Sequence, residues 1–259
     1  MTFPRRSLLR FGSDGRPAAV ALMVLAVSAC SGSPTTPTPS ESLDVKLEVP
    51  GFQIYGGRTP APVLREVAAR LAAARPRMAA DLGVDGERLG TITVRVWQDE
   101  ATWVATLEAY FGERLAATGY VTGPTELRLL AVETVGVNAT HELAHAVSLH
   151  VNPVFANNPR WWWEAVALYE NGELVDPRTL PYMRQGQPPT LAALNAPITA
   201  GRQIYDVGFL LGEFVVVQAG RDGLRQLIRA NGDTVAVLGM TASQFEQAWY
   251  TFVRARYGL

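Results

Sequence analysis

The chain is 259 residues long, 48% apolar and only 18% charged, with a formal net charge of −1. That apolar content suffices for one large domain or two small ones, while near-neutral charge and scattered arginines give no electrostatic footprint for nucleic acid. A single cysteine, Cys30, excludes an internal disulfide framework and a cysteine zinc cage, and no GxxxxGK loop offers a Walker nucleotide site.

In chain order, the first segment reads as an address. Residues 1–16 carry Arg5, Arg6, Arg10 and Arg16, and residues 17–29 (PAAVALMVLAVSA) run without a charge. Such a run is shorter than the roughly 20 residues of a spanning helix but suits the apolar part of a signal peptide. It ends in Val27-Ser28-Ala29-Cys30, which resembles a bacterial lipobox and marks Cys30 for lipidation. Val27 and Ala29 equally satisfy the small-x-small rule for ordinary cleavage at the same bond. Arg5-Arg6-Ser7-Leu8-Leu9-Arg10 resembles a twin-arginine export motif with Leu8 where Phe is usual, so both export routes stay open. The expectation is a signal peptide over 1–29 and a membrane-anchored lipoprotein of the cell envelope, on its periplasmic or extracellular face. Residues 30–42 are rich in Ser, Thr and Pro and cannot bury apolar area, so they read as a solvated tether spanning about 35 Å. The folded domain is expected over 43–259.

Val45 to Tyr55 reads as two extended runs broken by Pro50-Gly51. Pro60 to Leu82 has helical spacing of Val63, Val67, Leu71 and Met78, with Pro76 expected to kink the helix or end it early. Thr91 to Trp97 alternates and is rich in β-branched residues, predicting a strand. Asp99 is placed to cap a helix ending near Phe111, and Gly119 to Val132 predicts a strand or hairpin turning at Gly123-Pro124. Beyond Asn138 the pattern becomes helical. Helices are predicted over Asp206–Ala219 and Gly223–Ala230, and a final one behind a capping box of Thr241 and Gln244. A mixed α+β first half thus precedes a helical second half.

All three histidines fall in HELAHAVSLH, residues 141–150. His141 and His145 stand about 400° and 6 Å apart on a helix, so both rings leave one face one turn apart. Two nitrogens so placed can meet one Zn²⁺, while Glu142, about 100° round, reaches water beside the metal as a general base. His150 lies on another face and suits the free carbonyls at the helix C-terminus before Asn152-Pro153. The third ligand is expected at Glu164. Asn157-Asn158-Pro159 reads as a cap followed by proline in the first turn, Gly172 as a stop, and RWWWEAVALYEN between them is apolar almost all round. A carboxylate inside such a buried helix is costly unless paired, and a cation is such a partner; a surface pair with Arg160 is the competing possibility.

HELAH, eighteen residues, then Glu164 within W-W-E-A-V-A-L-Y resembles the gluzincin zinc peptidases, the thermolysin-like clan, and most of all its small peptidase MA-like domains. YDVGFLLGEFVV in the later region is similar to theirs. Residues 138–170 carry the specific part of this resemblance. The sequence departs in having Ala165 where Gly is usual, and it lacks a G-x-M-E-N exopeptidase motif. The resemblance implies a thermolysin-like fold and one Zn²⁺ on His141, His145 and Glu164 with a fourth position open to water. It implies a peptide or protein substrate, which would add as a strand along an edge near Glu126 to Val132. In this clan a Tyr or His assists the oxyanion, and Tyr205 is the candidate here. The alternative is an envelope lipoprotein that keeps the fold as a binding or structural module without catalysis.

Overall fold

The computed structural model describes residues 44–197 and 201–259. The signal peptide, Cys30 and the tether to Ser42 lie outside the described residues. Five strands form one mixed sheet: β1 (Val45–Val49), β2 (Phe52–Tyr55), β3 (Ile92–Trp97), β4 (Gly119–Gly123) and β5 (Glu126–Leu130). Their spatial order is β1-β2-β3-β5-β4, with β2, β3 and β5 parallel and the two outer strands antiparallel to their neighbours. The helices are α1 (Ala61–Leu82), α2 (Glu100–Phe111), α3 (Val135–Val151), α4 (Arg160–Asn171), α5 (Pro181–Arg184), α6 (Leu191–Leu194), α7 (Gln203–Arg229), α8 (Thr234–Leu238) and α9 (Ala242–Tyr257). The class is α+β, with a small mixed sheet in the first half and helices in the second. No helix among the described residues is long and apolar enough to cross a membrane.

The alternation read in β3 sets the two faces of the sheet. Ile92, Val94 and Val96 point into the main core with Phe52, Ile54, Leu127 and Leu129, against α1 and α3. Trp97, Trp103, Leu107, Tyr120 and Leu130 make a smaller cluster where α2 covers the other face. Asp99 caps α2 by accepting the Thr102 N–H at 2.8 Å, and the Thr241–Gln244 capping box opens α9.

Three expectations are corrected. First, α1 runs on through Pro76 to Leu82. Proline costs a helix about 3 kcal/mol, but Leu71, Met78, Ala79 and Leu82 on either side of it are buried, and their burial outweighs one lost hydrogen bond. Arg77 next to the proline also pairs with the buried Glu170 of α4 at 2.7 Å, and Arg221 of α7 reaches the same carboxylate at 3.2 Å. Second, the asparagines before α4 do not cap it. The Asn158–Pro159 peptide is cis, and the Arg160 N–H is instead bonded to Asn195 Oδ1 at 2.7 Å, a cap supplied by the residue that follows α6. Third, Glu126–Leu130 is an inner strand, paired on both sides; the edges of the sheet are β1 and, on this side, β4.

The layer behind α3 is formed by α4 and α7. A Cβ on Gly208 would collide with Leu168 and one on Gly212 with Tyr169, so these two glycines, one turn apart, let α7 lie directly on α4. The expected pair of helices in this region is present, joined end to end within α7 at Gly220, whose φ of 63° interrupts the helical run. Close packing here sets Tyr205, on the first turn of α7, against the end of α4 that carries Glu164.

Candidate metal centre

Two helices build the site. His141 and His145 leave the same face of α3, ring centroids 4.8 Å apart, and α4 delivers Glu164 to meet them. Glu164 Oε2 lies 3.4 Å from His141 Nε2 and 3.8 Å from His145 Nε2. One donor atom from each residue falls within 4.8 Å of the others, in a group where His145 and Glu164 are buried. Ligands of a tetrahedral ion at about 2.0–2.2 Å stand roughly 3.4 Å apart, so the donors need only small side-chain adjustments. Arg160 does not take the Glu164 carboxylate; its guanidinium goes to Ala196 O at 2.8 Å.

A buried polar atom without a partner is rare in a folded protein. Here Glu164 Oε2, aimed between two imidazole nitrogens, is buried and makes no hydrogen bond. A cation-binding oxygen has this character, and the three residues therefore fit a metal ion.

Electrostatics point the same way. Burial pulls the His141 pKa down, but the carboxylates of Glu164 and Glu173 outweigh it and push it up to about 10. His145 is held well below its usual pKa by burial and by the charge on His141. Glu142 is pushed up to about 8 by burial, opposed by His141 and reinforced by Glu164 and Glu173.

Glu142 sits beside the group on α3, at the wall of a cavity of about 270 Å³ that also borders His141, Glu173, Arg202 and Tyr205. The facing wall is the start of the β4 edge. A Cβ on Gly119 would stand 2.7 Å from Glu142 Oε1, so only glycine lets the strand pass this close. Tyr205 is partly buried; burial and the nearby Glu164 raise its pKa, against Arg160. Larger hollows of about 530 Å³ between α7 and α9, and of about 370 Å³ beside the β4–β5 turn, lie away from the three donors. His150 borders the second of these, with Nε2 3.3 Å from Pro124 O, and takes no part in the metal group.

Sequence reasoning missed three supporting residues. Glu173 Oε1 lies 3.1 Å from His141 Nδ1 and is bonded to the Asn171 amide, which in turn contacts the Thr140 hydroxyl and gives its N–H to Val137 O. Trp163 stacks on His145. A ligand histidine usually donates from its second nitrogen to an acceptor, as His141 can to Glu173, and that tendency directs attention to the carboxylates just past α4. Cys30 lies outside the described residues.

Compared with known proteins, the chain matches no family model and no curated protein.

Proposed function

We propose that the chain is a zinc-dependent peptidase with the gluzincin ligand set, cleaving peptide bonds at the cell envelope. The observation that carries this reading is the convergence of His141, His145 and the unpartnered Glu164 oxygen, with Glu142 beside them on an open cavity. Two imidazoles and one carboxylate suit zinc, and three protein donors leave a position free, as catalytic rather than structural sites do. The order of a small sheet followed by packed helices agrees with a thermolysin-like domain.

When bound, such an ion supplies Lewis acidity to a substrate carbonyl and to an attacking water. The chain's own residues do the rest. Glu142, beside the donors on the cavity wall, accepts the proton of the water and passes it to the leaving amine. The Tyr205 hydroxyl, kept protonated by its surroundings, donates toward the developing oxyanion. Glu173 orients His141. The free edge of β4 offers backbone groups along which an extended peptide can add as a strand. Anchoring through Cys30 belongs to the same proposal and is supported by the lipobox resemblance alone.

The test is Glu142→Gln, assayed with zinc on a mixed peptide library. The expected result is a fall in turnover of about 10²–10⁴-fold with the ion retained. Turnover unchanged by this substitution overturns the reading. Stoichiometric zinc with no cleavage by the wild-type chain would make the site a structural staple of a binding module.

A further inference from the structure

Among the described groups lining the cavity beside the three donors, Arg202 alone carries a permanent positive charge. Of the cavity's two acids, Glu173 is held by His141 and Asn171, and Glu142 is the proposed base, set against Gly119. Arg202 has no ion pair and no side-chain hydrogen bond among the described residues; its guanidinium lies over the Tyr205 ring, 5.6 Å from the centroid. The contrast is Arg160, at the same distance from that ring but buried and donating to Ala196 O and Gly201 O. One arginine is therefore a structural tie and the other is unspent. A guanidinium resting on an aromatic face keeps its N–H edge available, and that edge matches a carboxylate in a paired, bidentate way.

Size then limits what such a carboxylate belongs to. A cavity of about 270 Å³ is roughly 8 Å across, and an extended chain advances about 3.3–3.6 Å per residue. A carboxylate held at Arg202 leaves room for one or two residues before the chain meets His141 and Glu142. An amino terminus would meet a cation here and be repelled.

We infer that Arg202 binds the free C-terminal carboxylate of a peptide, so that the site removes one or two residues from the carboxyl end. This deepens the peptidase reading and rests on it. Hydrolysis adds one water across the last or last-but-one peptide bond, leaving a new carboxylate on the shortened peptide and a free amine on the released fragment.

The experiment uses one peptide in two forms, with a free C-terminal carboxylate and with a C-terminal amide. Both are offered to the zinc-loaded wild-type, Arg202→Gln and Arg202→Lys chains, with products read by mass. The expected result is a preference for the free acid of about 10–100-fold in kcat/KM, as a charge-assisted contact gives. The released fragment is one or two residues long, the preference is lost in Arg202→Gln, and it returns in part in Arg202→Lys. Calorimetry on the Glu142→Gln chain is expected to show the same acid-over-amide preference in binding, again removed by Arg202→Gln. Equal cleavage of acid and amide at internal bonds overturns the inference and leaves the peptidase reading standing. An amidated peptide with a penultimate Asp that is cut as well as the free acid overturns it in favour of an acidic side chain. If the wild-type chain cleaves neither form, the peptidase reading falls, and calorimetry alone decides whether Arg202 selects a terminal carboxylate.

Discussion

His145 lies flat against Trp163, with ring centroids 3.9 Å apart and planes within 6° of parallel. The tryptophan is the residue before Glu164, so α4 delivers one donor and also the plate against which another donor rests. Because His145 Nδ1 is buried with no hydrogen-bond partner among the described residues, the stack is what fixes the ring's orientation. Trp163→Leu is expected to weaken zinc binding by about 10-fold or more in a chelator competition, whereas Trp163→Phe, which keeps an aromatic face, costs much less. Equal loss in the two variants would show that the stack only fills space.

Glu173 performs the corresponding service for His141. Removing its carboxylate in Glu173→Ala leaves the second ring nitrogen without an acceptor, and metal affinity is expected to fall by about 10–100-fold. Glu173→Gln keeps an acceptor oxygen and is expected to fall between that variant and the wild-type chain. Titration with zinc and a fluorescent chelator checks both.

Gly119 tests the role of the strand wall. Its missing Cβ is what leaves room for the Glu142 carboxylate. Gly119→Val must displace that carboxylate without touching His141, His145 or Glu164, so peptide turnover is expected to fall by about 100-fold, as misplacement of a reacting group by about 1 Å does. Zinc content should stay unchanged, which separates this effect from loss of the ion.

The metal-free chain is expected to lose stability as pH rises from about 6.5 to 9.5. His141, raised to about 10 from 6.5, contributes stability that is fully present below its unfolded value and lost as pH rises through the folded one. Glu142, raised to about 8 from 4.5, keeps a proton that the unfolded chain has already released, so it lowers stability as pH rises from about 4.5 to 8 and adds no further slope above that. His145, held neutral by burial, acts in the opposite sense only below about 6.5. Thermal melts across this range check the slope. Added zinc should raise Tm more as pH rises, because a smaller fraction of His141 then carries a proton that the ion must displace.

What the sequence disclosed, and what it withheld, follows the range of the forces involved. Both bounds of α4 were legible, because Pro159 and Gly172 act locally on the backbone; β3, the Asp99 cap and the Thr241–Gln244 box were legible for the same reason. The pairing of His141 with His145 follows from helix geometry, and Glu164 from the cost of a bare carboxylate among tryptophans. The rest depends on contacts distant in sequence. Pro76 stays helical because residues far along the chain bury its neighbours. The α4 cap comes from Asn195, 35 residues away. Strand order put β4, not β5, at the edge on this side, which no local pattern in Glu126–Val132 could reveal. Glu173 reaches His141 only because the chain turns back past Gly172.

The most direct measurement is zinc content after exhaustive dialysis, compared between the wild-type chain and Glu164→Ala. One ion per wild-type chain is expected, with affinity reduced at least about 10²-fold in the variant, since a carboxylate donor is lost from a three-residue set. A Glu164→Ala chain that keeps one ion as tightly as the wild type would contradict the account, because the two histidines would then be binding metal without the helix that is claimed to complete the site.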